Sequence, residues 1–371
     1  MTAPFAIRQP ARIRFGRGEA LAAVPEIASF GRNAFLVHGR TAKRATPLIA
    51  ALERAGCAVT AQPCPGEPTL AMLDAAVAAA RGADLVIGFG GGSALDLAKA
   101  VAALVPAPGG AMDHVEVVGK GLPLKADPLP FVAIPTTAGT GAEVTKNAVI
   151  DVPAHRRKVS LRDDRMVAWL AVVDPSLTDH CPKAVTLASG LDAVVQVIEP
   201  YLSTKANPYT DALVRAAIPA GLAALRRLMT AEDAGARDRM AWVSLSGGLA
   251  LANSGLGAVH GLAGPIGGMT GAAHGAICGA LLPHVLRLIA VRAPSARMGE
   301  VEAWIGAEFG GGIDALEDWM HGQGLPRLSA LGLGPGDHAA AAEAALQSSS
   351  MKASPAMLGL ADLGGLLRQA G

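Results

Sequence analysis

Residues 241–286 read AWVSLSGGLALANSGLGAVHGLAGPIGGMTGAAHGAICGALLPHVL, and the run contains no Asp, Glu, Lys or Arg. An uncharged stretch of this length first suggests a membrane span, but a spanning helix wants about 20 predominantly apolar residues in a row. Here the run is interrupted by glycines, by Pro265 and Pro283, and by three histidines. It reads instead as two or three helices buried inside a large helical domain, apolar all round because no face meets water. His260 and His274 then need partners, since an unpaired buried polar group is costly.

The chain has 371 residues, too many for one ordinary core and suited to two domains. Its net charge is +1 and no Lys/Arg cluster stands out, which argues against a nucleic-acid surface. Cys57, Cys64, Cys181 and Cys278 are scattered with no metal-type spacing and read as reduced thiols of a cytoplasmic protein. The opening MTAPFAIRQPARIRFGRG has no apolar run and is read as no signal peptide; no membrane partner is expected.

Upstream of the uncharged run, short apolar segments alternate with helical ones. Residues 5–15 (FAIRQPARIRF) alternate around Pro10, the pattern of an edge strand or hairpin. NAFLVH at 33–38 is a strand that ends in Gly39-Arg40, and helices are predicted over 46–55 and 70–81, with a strand over 57–60 between them. DLVIGF at 84–89 is a buried strand by length and β-branched content. It runs into Gly90-Gly91-Gly92-Ser93, with Ser93 at the cap of a helix, ALDLAKAVAAL, that carries Asp96 in its first turn. Such a unit cradles phosphate, because the glycines admit an anion and the free amides and helix dipole favour negative charge. The spacing is not that of the dinucleotide fingerprint, and a glycine turn without ligand is the alternative. A second buried strand, FVAI at 131–134, runs into PTTAGTGAE, where Thr136, Thr137 and Thr140 face a ligand or simply make a turn. A hairpin or strand pair lies within 147–174. From Pro182 onward only helical periodicity remains. The expected plan is therefore an α/β dinucleotide-binding domain with a Rossmann-like parallel sheet over 1–180, then an all-helical domain over 181–371.

In the helix after Lys183, Asp192, Gln196 and Glu199 fall at i, i+4 and i+7 and share one face. One carboxylate, one amide oxygen and two imidazoles, from Asp192, Gln196, His260 and His274, would make a four-ligand set for iron or zinc. Satisfied core histidines are the plainer alternative.

At this point the motifs carry a resemblance. GGGSALDLAKA at 90–100, PTTAGTGAEVT at 135–145, VVDPSLT at 172–178, GLDAVVQVIEPYLS at 190–203, GLGAVH at 255–260 and AAHGAICGALLPHV at 272–285 resemble the iron-containing (group III) alcohol dehydrogenases. The resemblance implies an architecture like that of dehydroquinate synthase and a nicotinamide dinucleotide bound at Gly90, Gly91, Gly92, Ser93, Asp96, Thr136, Thr137 and Thr140. Lys158 matches a family lysine near the cofactor, with a surface salt bridge as its alternative. A metal would be held by Asp192, His260 and His274. It also implies hydride transfer between NAD(P)H and a small aldehyde or ketone, and a homodimer paired through its N-terminal strand. The chain departs from the family pattern at three points. Gln196 stands where the family has its first metal histidine, and Gly264 where it has a histidine near the nicotinamide. Gly39 stands where NAD-preferring relatives carry an Asp, so Arg40 would pair with a 2′-phosphate and favour NADP(H) over NAD(H). If the metal were absent, His260 and His274 would act as catalytic hydrogen-bond or proton donors, in the manner of maleylacetate reductases. A non-catalytic nucleotide-binding relative is the remaining alternative. Dehydroquinate-synthase-like lyase chemistry is disfavoured, because the uncharged stretch supplies no basic residues for phosphate.

Overall fold

The computed structural model describes residues 4–371. The chain divides into two compact units, one of residues 8–137 and 141–179, the other of residues 180–371 with 138–140 and the described residues up to Ile7. The architecture is the expected one: a parallel α/β unit and an all-helical unit. Among the described residues no strand follows Val173.

In the α/β unit β1 (Arg12–Phe15), β2 (Asn33–His38), β3 (Ala58–Pro63), β4 (Leu85–Gly90), β5 (Phe131–Pro135) and β8 (Leu170–Val173) form one sheet. Its order is β1-β8-β5-β4-β2-β3 and every neighbouring pair is parallel. The strands between the edges are near-continuous apolar runs, as a sheet covered on both faces requires. Alternate residues feed opposite layers: Ala34 and Leu36 join one core cluster, Phe35 and Val37 the other. The first cluster is closed by Leu48 and Leu52 of the Thr46–Arg54 helix, which follows β2. The second is closed by the Gly92–Leu104 helix, which follows β4. The chain thus leaves the carboxyl ends of adjacent β2 and β4 toward opposite faces. Such a switch point, just beyond the strand ends, is the usual ligand position in open α/β sheets. β6 (Asn147–Val152) and β7 (Arg157–Arg162) form the expected antiparallel ribbon.

For residues 5–15 the edge-strand reading holds in part and the hairpin reading does not. Only Arg12–Phe15 is a strand, and it lies parallel to β8 at the sheet edge. Pro10 has no N–H to pair and restricts the residue before it, so the alternation at 5–9 is not used as sheet.

The uncharged stretch falls on three helices, Ala234–Ser254, Ala258–Thr270 and His274–Arg292. The last is long and apolar enough to cross a membrane, but 72% of its apolar window is buried as a core helix. The Ala234–Ser254 and His274–Arg292 helices flank the Lys183–Leu202 helix, in which Gly190 through Leu202 is buried without a break. Glycines permit the close approach. A Cβ on Gly275 would lie 2.1 Å from the carbonyl oxygen of Ala188, a backbone atom that cannot swing aside. Gly275→Ala is therefore expected to destabilise the helical unit by about 1–3 kcal/mol through overpacking. Thermal unfolding checks this; an unchanged midpoint would mean that the two helices are not in contact there.

Candidate functional site

The Lys183–Leu202 helix carries Asp192, Gln196 and Glu199 on one buried face, at 1%, 3% and 4% exposure. Glu199 uses both carboxylate oxygens. Oε1 accepts the backbone N–H of Val259 at 2.7 Å. Oε2 accepts that of His260 at 3.4 Å and lies 2.7 Å from His260 Nδ1. These amides open the Ala258–Thr270 helix, so Glu199 occupies its N-terminus, where the macrodipole favours an anion. The same carboxylate draws the imidazole proton to Nδ1 and turns Nε2 toward Asp192 Oδ1, 3.2 Å away.

His274 begins the next helix and sets its Nε2 3.9 Å from the same Asp192 oxygen. Cys278, one turn further on, sets its Sγ 3.6 Å from His274 Nε2 and 3.9 Å from His260 Nε2. One ligand atom from each of Asp192, His260, His274 and Cys278 lies within 4.8 Å of the others. His274 is about one-third exposed at its side chain and forms the open side of the group. Burial would raise the Asp192 carboxyl, but the hydrogen bond from His260 and the charges of both imidazoles hold it below the usual carboxylate range. Burial likewise opposes charge on His260 and His274, yet Cys278 and Asp192 outweigh it and raise both, His260 well above an ordinary histidine. The Cys278 thiol, which burial alone would raise, is lowered by the two imidazoles.

Gln196 stands beside this group. Its Nε2 donates to Asp192 Oδ1 at 3.0 Å, while its buried Oε1 has no hydrogen-bond partner. The amide thus steadies Asp192 with its N–H. At Gly264 a Cβ would meet nothing within 4 Å, so the helix presents open space there. The third histidine of the stretch, His284, pairs with Glu317 at 3.4 Å.

In the α/β unit the strand ends bring Gly39, Gly90, Gly91, Gly92, Thr136 and Thr137 to one edge. Thr136 donates its N–H to the carbonyl of Gly90 at 2.9 Å. A Cβ on Gly90 would lie 2.6 Å from Ala94 Cβ and 3.3 Å from the Gly39 nitrogen, and one on Gly91 would lie 3.3 Å from Thr137 Oγ1. The Gly92–Leu104 helix opens here with Gly91 at its cap and no side-chain bond to its first amides. Ser93 is therefore inside the helix and not its cap. Its Oγ donates to Glu67 Oε1 at 3.4 Å, and Lys158 pairs with Glu67 Oε2 at 3.3 Å while almost fully buried. Asp96 accepts the N–H of Val149 at 3.0 Å and ties the helix to β6. Arg40 is exposed and donates to the carbonyl of Pro65 at 3.3 Å. Thr140 belongs with the helical unit.

Three residues in these surroundings were not singled out by the sequence reading. Cys278 was passed over because the other cysteines lie far off in sequence, although its place four residues after His274 puts both on one helical face. Glu199 was seen on the Asp192 face, but its bond to His260 was not. Lys99, the one basic residue within ALDLAKAVAAL, is 1% exposed and donates to Ala142 O at 2.7 Å, Thr145 Oγ1 at 3.0 Å and Asn147 O at 2.9 Å. Burial lowers its pKa to about 8, so at neutral pH it is still an ammonium with an oxygen for each proton.

Iron-containing alcohol dehydrogenase is the family whose description matches residues 10–175, and its C-terminal counterpart matches residues 186–371. The chain belongs to the iron-containing alcohol dehydrogenase family. Family members use NAD(H) and iron or another divalent metal. The chain is 34% identical over 318 residues to "Probable alcohol dehydrogenase EutG" of Escherichia coli, covering 84% of this chain and 80% of that one. It is 42% identical over 226 residues to "Long-chain-alcohol dehydrogenase 1" of Geobacillus thermodenitrificans, covering 60% of this chain and only 56% of that protein's length. A solved structure of a 1,3-propanediol oxidoreductase superposes over the whole of both chains with a TM-score of 0.89 at 28% identity.

The loop pinned by Lys99 also carries Glu143. It is 2% exposed, and burial pushes its carboxyl up to about 7. The folded chain therefore holds this proton more tightly than the unfolded one, whose value is near 4.5. The associated stability is full below about pH 4.5 and is lost as pH rises through 7. Glu143→Gln, neutral throughout, should gain about 1–3 kcal/mol over the parent between acidic pH and about pH 8. Denaturant unfolding at the two pH values checks this, and parallel pH profiles would contradict it.

Proposed function

We propose that this protein is an NAD(P)-dependent oxidoreductase that moves a hydride between the nicotinamide and the carbonyl carbon of a small aldehyde or ketone. The observation that carries this reading is the convergence of Asp192, His260 and His274, with His260 fixed by Glu199. The donor set suits a divalent cation: a carboxylate, two imidazoles and a thiol converge, and one of the imidazoles already has its Nδ1 proton accepted by a carboxylate. Asp192, His260 and His274 would hold the ion, with Gln196 donating to Asp192. When bound, the ion would polarise the carbonyl oxygen and the dinucleotide would supply the hydride.

The chain's own residues divide the remaining work. Glu199 keeps the His260 proton at Nδ1. His274, the exposed member, borders the approach. Gly264 offers room beside the helix and no proton, so the substrate alcohol must exchange its proton through another group or solvent. In the α/β unit the glycine turn Gly90–Gly92 and the Thr136–Thr137 loop would receive the dinucleotide phosphates, with the first amides of the Gly92–Leu104 helix facing the anion. Asp96, Ser93 and Lys158 support this pocket in the same reading, Asp96 by tying the helix to β6 and Ser93 and Lys158 through Glu67. The α/β half would thus bind cofactor and the helical half, from about residue 181, metal and substrate. Four unpaired thiols accord with a cytoplasmic setting. Phe5 and Ile7, both nearly half exposed, would be covered in a homodimer.

NADP(H) is the preferred cofactor in this account, because no carboxylate follows β2 and Arg40 is exposed beside the turn. kcat/KM for NADPH should exceed that for NADH, and Arg40→Ala should shrink the ratio. A clear NADH preference in the parent would contradict the assignment. For the metal, Glu199→Gln should weaken binding by about 10–100-fold with the fold intact, since it loosens the orientation of His260. Elemental analysis alongside NADPH-linked aldehyde reduction, before and after chelation, tests the whole reading. Near-stoichiometric metal with activity lost on chelation is expected. Full activity in metal-free protein would assign His260 and His274 the role of direct donors instead.

A further inference from the structure

Building on the metal-binding reading above, we propose that Cys278 is itself a ligand, so that the centre is Asp192–His260–His274–Cys278. The separations carry the argument. Around a tetrahedral zinc, bond lengths of about 2.0–2.1 Å to nitrogen or oxygen and 2.3 Å to sulfur put neighbouring ligand atoms roughly 3.3 Å apart for N and O and roughly 3.6 Å apart for N and S. Cys278 Sγ lies 3.6 Å from His274 Nε2 and 3.9 Å from His260 Nε2, and His260 Nε2 lies 3.2 Å from Asp192 Oδ1. The His274 Nε2 to Asp192 Oδ1 edge, at 3.9 Å, needs only a small turn of the partly exposed His274 ring. Cys278 is fully buried, and its sulfur faces imidazole nitrogens at separations too long for strong hydrogen bonds.

Gln196 does not compete for the position. Its N–H group is committed to Asp192, and reversing the amide would set its oxygen against the carboxylate oxygen. The fourth donor is thus supplied from the His274 helix, one turn after His274. On binding, the sulfur–metal bond forms as the thiol proton leaves to solvent, which makes affinity rise with pH. The thiolate and Asp192 together balance the charge of a divalent ion. The centre is then softer and less electrophilic than one with a neutral fourth ligand, and it suits zinc.

Cobalt(II) added to the metal-free full-length protein reports the ligand directly. Wild type should bind it near stoichiometrically, with visible d–d bands and a near-ultraviolet thiolate-to-cobalt charge-transfer band. Cys278→Ser should lose the charge-transfer band while circular dichroism stays native, and Gln196→Ala should keep it. Visible cobalt bands without the charge-transfer band in wild type, or a band that survives in Cys278→Ser, would overturn the assignment. Wild type that binds no cobalt would overturn it too. NADPH-linked aldehyde reduction assayed on the same preparations then separates the two ideas: turnover without a thiolate band removes Cys278 from the centre and leaves the oxidoreductase reading in place.

Discussion

The bond between Glu199 and His260 is the contact on which the geometry of the helical unit's buried polar cluster depends. One carboxylate, buried to 4% exposure, answers two needs at once: the bare amides at the start of the Ala258–Thr270 helix and the Nδ1 proton of His260. A buried carboxylate without such donors would be costly. With them it is fixed, and by fixing the ring it decides which imidazole nitrogen faces Asp192. Asp192 sits seven residues before Glu199 on the same helical face, so the orienting group and the oriented pair share one rigid element. Gly275 lets the His274 helix approach that element closely enough to bring His274 and Cys278 into reach.

The α/β unit rests on a parallel constraint. Its sheet is buried on both faces, and helices from adjacent β2 and β4 depart to opposite sides. The backbone at Gly39, Gly90 and Thr136 is thereby gathered at one edge, with glycine where a Cβ would collide with Ala94 or the Gly39 amide. Lys99 holds the following loop from beneath by three hydrogen bonds, and Asp96 joins the helix to β6. Buried charge in this unit thus fixes the loops that border the strand ends.

Much of this was legible in the sequence because it is periodic. Continuous apolar runs such as DLVIGF and FVAI specify two-sided burial, and the uncharged 241–286 run specifies core helices. Asp192, Gln196 and Glu199 could be set on one face by counting. What counting could not supply was direction. Gln196 has the spacing of a ligand, but its amide turns a donor toward Asp192. Ser93 has the composition of a cap, but the helix begins at Gly92 and Ser93 bonds to Glu67. FAIRQPARIRF alternates, yet only Arg12–Phe15 finds a partner strand. Cys278 and Lys99 each look unremarkable within an apolar helix, and they matter because of groups brought to them from distant parts of the sequence.

The central claim is that Asp192, His260 and His274 hold a divalent ion, with His260 fixed by Glu199. Its most direct test is anomalous diffraction from crystals grown with zinc, recorded on both sides of the zinc absorption edge. The account predicts one strong peak bounded by Asp192 Oδ1 and the Nε2 atoms of His260 and His274, with Glu199 still on Nδ1. A peak elsewhere in the chain, or none among these atoms in zinc-replete crystals, would contradict it.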